Sequence, residues 1–245
     1  MMTPQQLKNS ILQRAIEGKL VEQRPEEGTA KELLKEIKLE KEKLVKEGKI
    51  KKSKPLPAIT EDEIPFEIPE GWEWVRLGDI VTICGGKRIP AGTQLTTKNT
   101  GHKYIRVSDM KNGTVLLDDI KFVTDNIYEK ISRYTISVND VYITVAGTIG
   151  NVGTIPSELD NANLTENADK LLIYTLNQKF MVHLLSSAVI QTQIKEATTK
   201  VGQPKLAIKR IEMLYIPLPP LSEQHRIVAK IEELLPLCDK LMIGQ

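Results

Sequence analysis

The sequence predicts an α+β protein: a β-rich globular domain flanked by long amphipathic helices that form a coiled-coil spacer. Three observations carry that prediction. Apolar residues near both ends recur with a helical period. The middle breaks into short β-branched runs punctuated by glycine turns. A proline-dense stretch separates the first helices from that middle.

Residues 1–54 read as helical. Leu7, Ile11, Ala15 and Leu20 fall roughly on one face, with Gly18 interrupting the pattern and Pro25 ending it. Thr29-Ala-Lys-Glu32 is a capping box, whose hydroxyl and carboxylate take backbone N–H groups left free at a helix start. From there Ala30, Leu34, Ile37, Lys41 and Leu44 step by 4, 3, 4, 3, a heptad seam with a lysine at one seam position. The lysine-rich stretch from Lys38 to Lys54 is interleaved with glutamates and reads as a solvated helix face. Residues 55–71 form a linker, because Pro55, Pro57, Pro65 and Pro69 are too dense for a helix or a central strand.

The globular domain is placed at 72–215. Its β-rich runs are WEWVRLGDIVTI, KYIRVSDM, VLLDDIKFV, DVYITVAGTIG and KLLIYTL. Turns are marked at Gly85-Gly86 and Asn112-Gly113, and the sheet is read as antiparallel or mixed. Phe180, Leu184, Ala188 and Ile194 predict a helix over 177–198. From 216 to 245 an extended IPLPPL strap leads into a final helix with Ser222 as its predicted N-cap. Ile227, Ile231, Leu234, Cys238 and Leu241 again step by 4, 3, 4, 3, and Pro236 is expected to kink or break the helix. The candidate helix-interface residues are therefore Leu34, Ile37, Leu44, Ile227, Ile231, Leu234 and Leu241.

Composition excludes several classes. A chain with 40% hydrophobic and 27% charged residues can build a core and is not disordered. No run approaches the length of an apolar membrane span, and the first residues lack the basic start and apolar stretch of a signal peptide. The net charge of +2 means that any affinity for nucleic acid must come from local clusters. The sequence carries no GxxxxGK[ST] loop, no GxGxxG after a strand, and no Asn/Asp-Pro-Pro-aromatic motif of the kind amino-methyltransferases use. Three scattered histidines and two distant cysteines offer neither a local zinc site nor a triad, and they suit a reducing, cytoplasmic setting. Glu17-Gly-Lys19 and Glu47-Gly-Lys49 contain part of a nuclease pattern but read as solvated helix faces. No catalytic residue, metal ligand or bound cofactor is expected.

What remains is binding chemistry. DNA recognition needs donors for phosphates and side chains for base edges, and glycine-rich loops bring backbone N–H groups close to phosphate. Three loops have this mix. The first runs from Gly85 through Lys87 and Arg88 to Thr97 and Lys98. The second is Gly147-Thr148-Ile-Gly150-Asn151, and the third carries Lys200, Gln203 and Lys205. Each alone reads as a plain turn; three on one domain favour a binding surface. The alternating strand Lys103, Tyr104, Arg106 and the following Lys111 and Asn112 are the other candidate DNA contacts.

Both ends of the chain resemble a known family. IPLPPLSEQHRIVAKIEELLPLCDKL (216–241) is similar to the helix opening of type I restriction–modification specificity subunits, through Pro219, Pro220, Leu221, Glu223, Gln224, Ile227 and Val228. IPEGWEWVRLGDI (68–80) resembles the start of such a subunit's target-recognition domain, through Gly71, Trp72, Trp74, Leu77 and Gly78. LKNSILQRAIEGKLV (7–21) resembles the far end of the family's helical region, and YIRVSDM and AGTIGNVG match weakly. A standard member has two recognition domains, whereas this chain has one such opening and one such exit, like a half-length form.

The resemblance implies a non-catalytic DNA-reading module. It would direct adenine methylation and restriction to a bipartite site and dock methyltransferase subunits that carry S-adenosylmethionine. It implies double-stranded DNA and a restriction/translocase subunit as further partners. A half-length form suggests a homodimer of half-subunits, and the seams at 30–44 and 227–241 are the expected zippers for an antiparallel pair. The alternative is a helical partner of the methyltransferase subunits that does not read DNA.

Overall fold

The computed structural model describes residues 3–199 and 202–243. The chain opens with α1 (Pro4–Ile16), α2 (Ala30–Lys46), β1 (Glu73–Arg76) and α3 (Leu77–Ile80). It continues through β2 (Val81–Gly85), β3 (Lys103–Ile105), β4 (Met110–Lys111), β5 (Thr114–Val115), β6 (Lys121–Phe122) and α4 (Asp125–Ile131). Then come β7 (Thr135–Ile136), β8 (Val141–Thr144), β9 (Val152–Thr154), β10 (Ala162–Leu164) and β11 (Ala168–Ile173). It closes with α5 (Gln178–Leu185), α6 (Ala188–Ala197), α7 (Ile208–Glu212), β12 (Tyr215–Leu218) and α8 (Leu221–Ile243). None of the described helices is long and apolar enough to cross a membrane.

The α+β class stands, and the chain divides into two compact units. One, mainly helical, comprises Met1–Ile80, Tyr174–Gln193 and Met213–Gln245. The other, β-rich, comprises Val81–Ile173 and Ile194–Glu212. It is thus narrower than the segment 72–215 drawn from sequence. β1 leaves it because it pairs antiparallel with β12, Val75 opposite Ile216, within the helical unit.

In the helical unit α1 stops at Ile16, well short of Pro25. Gly18 adopts φ +68°, while its N–H bonds to the Ala15 carbonyl and that of Lys19 to Arg14. Together these form a Schellman cap, which needs a residue free to turn left-handed. Gly48, at φ +69°, repeats it: its N–H bonds to Val45, and that of Lys49 to Leu44. Both Glu-Gly-Lys tripeptides are therefore helix C-caps, each with a Lys–Glu pair of 2.8 Å beside the turn. That placement accounts for the repeat by helix termination.

The capping box at Thr29 forms as expected, its N–H bonding Glu32 at 2.8 Å. The buried face of α2 is Ala30, Leu33 and Ile37, while Leu34 and Leu44 are half-buried. Lys41, the odd lysine of the seam, donates to the Gly78 and Asp79 carbonyls at 2.8 and 3.1 Å in α3. α2 thus packs on its own unit. The same holds for the final seam. Ile227 and Ile231 are fully buried where α8 packs on α1 and α5, and Leu234 is half-buried. Gln23, just beyond α1, bonds Glu223 in the first turn of α8 at 2.6 Å, so the two helices run antiparallel. Sequence pattern cannot tell a coiled-coil stripe from an intrachain core stripe, because both bury one face. The Leu241 side chain lies outside the described residues.

Helix α8 begins one residue before Ser222, at Leu221, and runs on through Pro236. Proline's missing N–H frees the Glu232 carbonyl, and both residues are exposed, so water can serve it. The single helix predicted over 177–198 is two, α5 and α6, separated at Ser186 and Ser187.

The β-rich unit holds two four-stranded sheets. One, β2-β11-β8-β9, is antiparallel throughout. The other, β6-β3-β10-β7, contains a parallel pair, β3 with β10. Successive residues of β3 enter different cores, as strand alternation requires. Tyr104 packs with Val123, Ile127 and Ile131, and Ile105 with Met110, Tyr142 and Leu164. β4 and β5 form a hairpin whose two turn residues, Asn112 (φ +54°) and Gly113 (φ +75°), both take positive φ. This is the turn that the Asn-Gly pair predicts.

Candidate nucleic-acid interface

The first two glycine loops are anchored on one turn of the β-rich unit, Thr165-Glu166-Asn167-Ala168, and the third is joined to the base of the second. At the end of β2 the Gly86 N–H bonds the Ala168 carbonyl at 3.1 Å, and the Lys87 N–H bonds Leu164 at 2.8 Å. A Cβ on Gly86 would sit 2.1 Å from the Thr165 carbonyl oxygen, so only glycine permits this approach. The second loop joins through Val145 and Ala146, whose N–H groups bond the Asn167 carbonyl at 2.8 and 3.3 Å. The third follows through Leu206, whose N–H bonds Val145 at 2.9 Å.

Each loop is closed by its own bonds. Thr144, fully buried, donates its hydroxyl to the Thr148 carbonyl and accepts the Asn151 N–H at 2.9 Å. The Thr199 hydroxyl and the Lys205 backbone bond reciprocally at 3.1 Å. The side chains of Lys87, Arg88, Thr97, Lys98, Thr148, Asn151, Gln203 and Lys205 remain exposed. Lys200 lies outside the described residues. Rigid loop stems with exposed Lys, Arg, Thr, Asn and Gln can meet both phosphates and base edges.

The alternating strand is different, and the structure gives its residues internal work. Tyr104 is 4% exposed and donates its hydroxyl to the Lys87 carbonyl at 2.9 Å, so it supports the first loop from beneath. Arg106 is committed to Asp109 and Asp119, with bonds of 2.6 to 3.1 Å. The Lys103 ammonium is bonded to the Glu158 carbonyl. A strand with alternating polarity reads alike whether its polar face meets solvent or neighbouring carboxylates. Lys111 and Asn112 are exposed at the tip of the β4–β5 hairpin, and the Gly113 carbonyl accepts from Thr154 after β9 begins, at 3.0 Å.

Three features were missed by the sequence reading. Glu166 bonds Arg88 Nε at 2.5 Å and accepts the Thr165 hydroxyl at 3.1 Å. Burial works to raise its carboxyl, but the bonds from Arg88, its own backbone and Thr165 outweigh that and hold it below the usual range. Asp169, opposite Gly85 in the ladder, is 4% exposed with Oδ2 unbonded, and burial pushes its carboxyl up to about 6 against the charge of Lys205. Tyr134 lies under both Lys87 and Arg133, at 5.6 and 5.3 Å. Only the adjacency of Arg133 and Tyr134 gave any sequence signal.

Comparison with known proteins agrees with the resemblance at the chain's ends. The model of the type I restriction modification DNA specificity domain matches residues 69–242. The specificity subunit of the type I restriction enzyme EcoAI from Escherichia coli is 36% identical over 241 residues, 96% of this chain and 40% of that one. The EcoEI specificity subunit, also from Escherichia coli, is 30% identical and matches 96% of this chain and 41% of its own. The chain thus spans about 40% of the length of these relatives. The HsdS subunit of Thermoanaerobacter tengcongensis superposes with a TM-score of 0.55 at 22% identity, over 87% of this chain and 47% of that one. A chain from a structure of type I R-M complex assembly and conformational transition gives 0.59 at 21%, with the same coverage.

Proposed function

This chain belongs to the type I restriction–modification DNA specificity family, and on that premise we propose that its β-rich unit reads one half of a bipartite DNA site. The observation that carries this is the anchoring of two glycine loops on the turn at 165–168, with the third joined to the base of the second and exposed donors on each. The helical unit acts as spacer and as dock for methyltransferase subunits. Those subunits carry S-adenosylmethionine and methylate adenine, while a separate restriction/translocase subunit cleaves. The chain itself supplies the address and no bond-breaking group. Two copies pair, and a two-fold protein calls for an inverted-repeat site. Because Ile37, Ile227 and Ile231 are already covered within one chain, pairing must use other surface than that stretch of the seams.

The test is methylation-site mapping in cells expressing this chain with its cognate methyltransferase subunit. A bipartite motif that disappears on deletion of the chain is the expected result. Two unrelated half-sites would sink the symmetric pairing alone. A stable complex with unchanged methylation would instead mark the chain as a partner that does not read DNA.

A further inference from the structure

We propose that Arg88, held through Nε by Glu166, reads a guanine in the major groove, and that Glu166 is its positioning residue. The proposal rests on the DNA-reading function above and adds a base and a mechanism to it.

Three things about Arg88 set it apart. Its side chain is 74% exposed. Its guanidinium uses Nε alone, bonded to Glu166 Oε1 at 2.5 Å, and neither η nitrogen bonds a described residue. Arg106, in the same unit, has an η nitrogen committed to three oxygens of Asp109 and Asp119. An Nε tether fixes the plane of the guanidinium and leaves a pair of N–H donors at its outer edge. That pair matches O6 and N7 of guanine, two acceptors side by side in the groove.

Both ends of the tether are prepared. The backbone just before Arg88 is pinned by Gly86 to Ala168, by Lys87 to Leu164 and by the Tyr104 hydroxyl to Lys87. Glu166 follows Thr165, whose N–H bonds Ile105 at 3.1 Å and whose hydroxyl bonds Glu166 Oε2. A side chain placed this way loses little freedom on binding.

The pairing also selects against phosphate. Arg88 and Glu166 together carry no net charge, and the carboxylate repels a phosphate brought to the same edge. Guanine's acceptors are neutral and meet no such repulsion.

The experiment selects from a random-sequence DNA duplex pool with the chain bound to its cognate methyltransferase subunit. Wild type is compared with Arg88→Ala, Arg88→Lys, Glu166→Ala and Glu166→Gln. The wild-type motif should prefer guanine at one position by about 5- to 150-fold. Arg88→Ala and Arg88→Lys should flatten that position and leave the others. Glu166→Ala should weaken the same position, and Glu166→Gln, which keeps an acceptor for Nε, should restore part of it. Uniform loss of affinity in Arg88→Ala, with the salt slope reduced by about one, would mean a phosphate contact and overturn the proposal. An unchanged motif in Arg88→Ala would overturn it too. A wild-type complex that selects no motif would fail the DNA-reading function itself, and the proposal with it.

Discussion

Two carboxylates, one in each unit, are bonded by side chains far away in sequence, and they differ in burial. Glu223 in the helical unit is 2% exposed and accepts the Trp72 indole N–H at 2.8 Å and the Gln23 amide at 2.6 Å. Glu166 in the β-rich unit keeps a side chain 24% exposed and holds an arginine that is nearly free in solvent. The first is a lock: it ties Gln23 in the loop beyond α1, Trp72 just before β1 and the first turn of α8. The second is a mount for a group that points outward. Gln224 extends the lock, accepting the Asn177 N–H and donating to the Pro219 carbonyl, both at 3.0 Å. The Pro-Pro-Leu-Ser-Glu-Gln segment that resembles the family is thus a piece of structural joinery, and the loops proposed to face DNA lie elsewhere.

Removing the lock should have the largest effect. Glu223→Ala strands the Trp72 indole N–H in a buried site and frees Gln23, so unfolding free energy should fall by about 2–4 kcal/mol. Glu223→Gln keeps an acceptor for Trp72 and should lose only about 1 kcal/mol. Urea unfolding of the two variants decides it. Equal losses would mean that the buried charge, not the indole bond, holds the junction.

In the β-rich unit the counterpart is Gly86. A methyl group there meets the Thr165 and Leu164 carbonyl oxygens at 2.1 and 2.5 Å, so Gly86→Ala must prise β2 from the 164–168 segment. We expect a loss of about 1–3 kcal/mol, by analogy with overpacking, and loss of the guanine preference assigned to Arg88. Gly92→Ala is the control. It has φ +78° with nothing near its Cβ, so it should show only a backbone cost of about 1 kcal/mol. A Gly86→Ala chain with wild-type stability and motif would contradict the close approach.

The same contrast explains what was legible. The capping box at Thr29 and the Asn112-Gly113 turn were readable because one local bond or one φ sign dictates them. The end of α1 at Gly18 was only half read, since the Schellman cap depends on a turn completed beyond the helix. Leu33 displaced Leu34 from the buried face of α2 because tertiary packing, not the heptad count, chose the face. The loops were found as compositions, but the turn that anchors the first two was not, because Glu166 meets Arg88 across 78 positions of sequence. Tyr104 is buried beneath the first loop and Arg106 is bonded to Asp109 and Asp119, neither of which residue type alone shows.

Asp169 offers a smaller effect of opposite sign. Burial pushes its carboxyl up to about 6 when folded, above the ordinary aspartate value of about 3.9. A raised carboxyl stabilises the fold fully only below the unfolded value, and that stabilisation is lost as pH rises through about 6. At neutral pH the buried charge therefore lowers stability. Asp169→Asn should raise it by about 1–2 kcal/mol at pH 7.5 and have little effect at pH 4. Thermal melts across that range should show the gap between the two proteins widening with pH. A constant gap would mean that Asn differs by packing and not by charge.

The smallest effect separates structure from contact at the β4–β5 hairpin. Asn112 sits at φ +54°, where a Cβ-bearing residue without asparagine's local bonding is strained. Asn112→Ala should cost about 1 kcal/mol, while Asn112→Gly should be near neutral, since glycine takes that conformation freely. Glycine also deletes the side chain without disturbing the turn, so DNA affinity in Asn112→Gly reports only on contact. Affinity unchanged in Asn112→Gly would remove Asn112 from the reading surface. A loss at defined positions of the motif would add the hairpin tip to it, where Lys111 and Asn112, unlike Tyr104 and Arg106, are exposed.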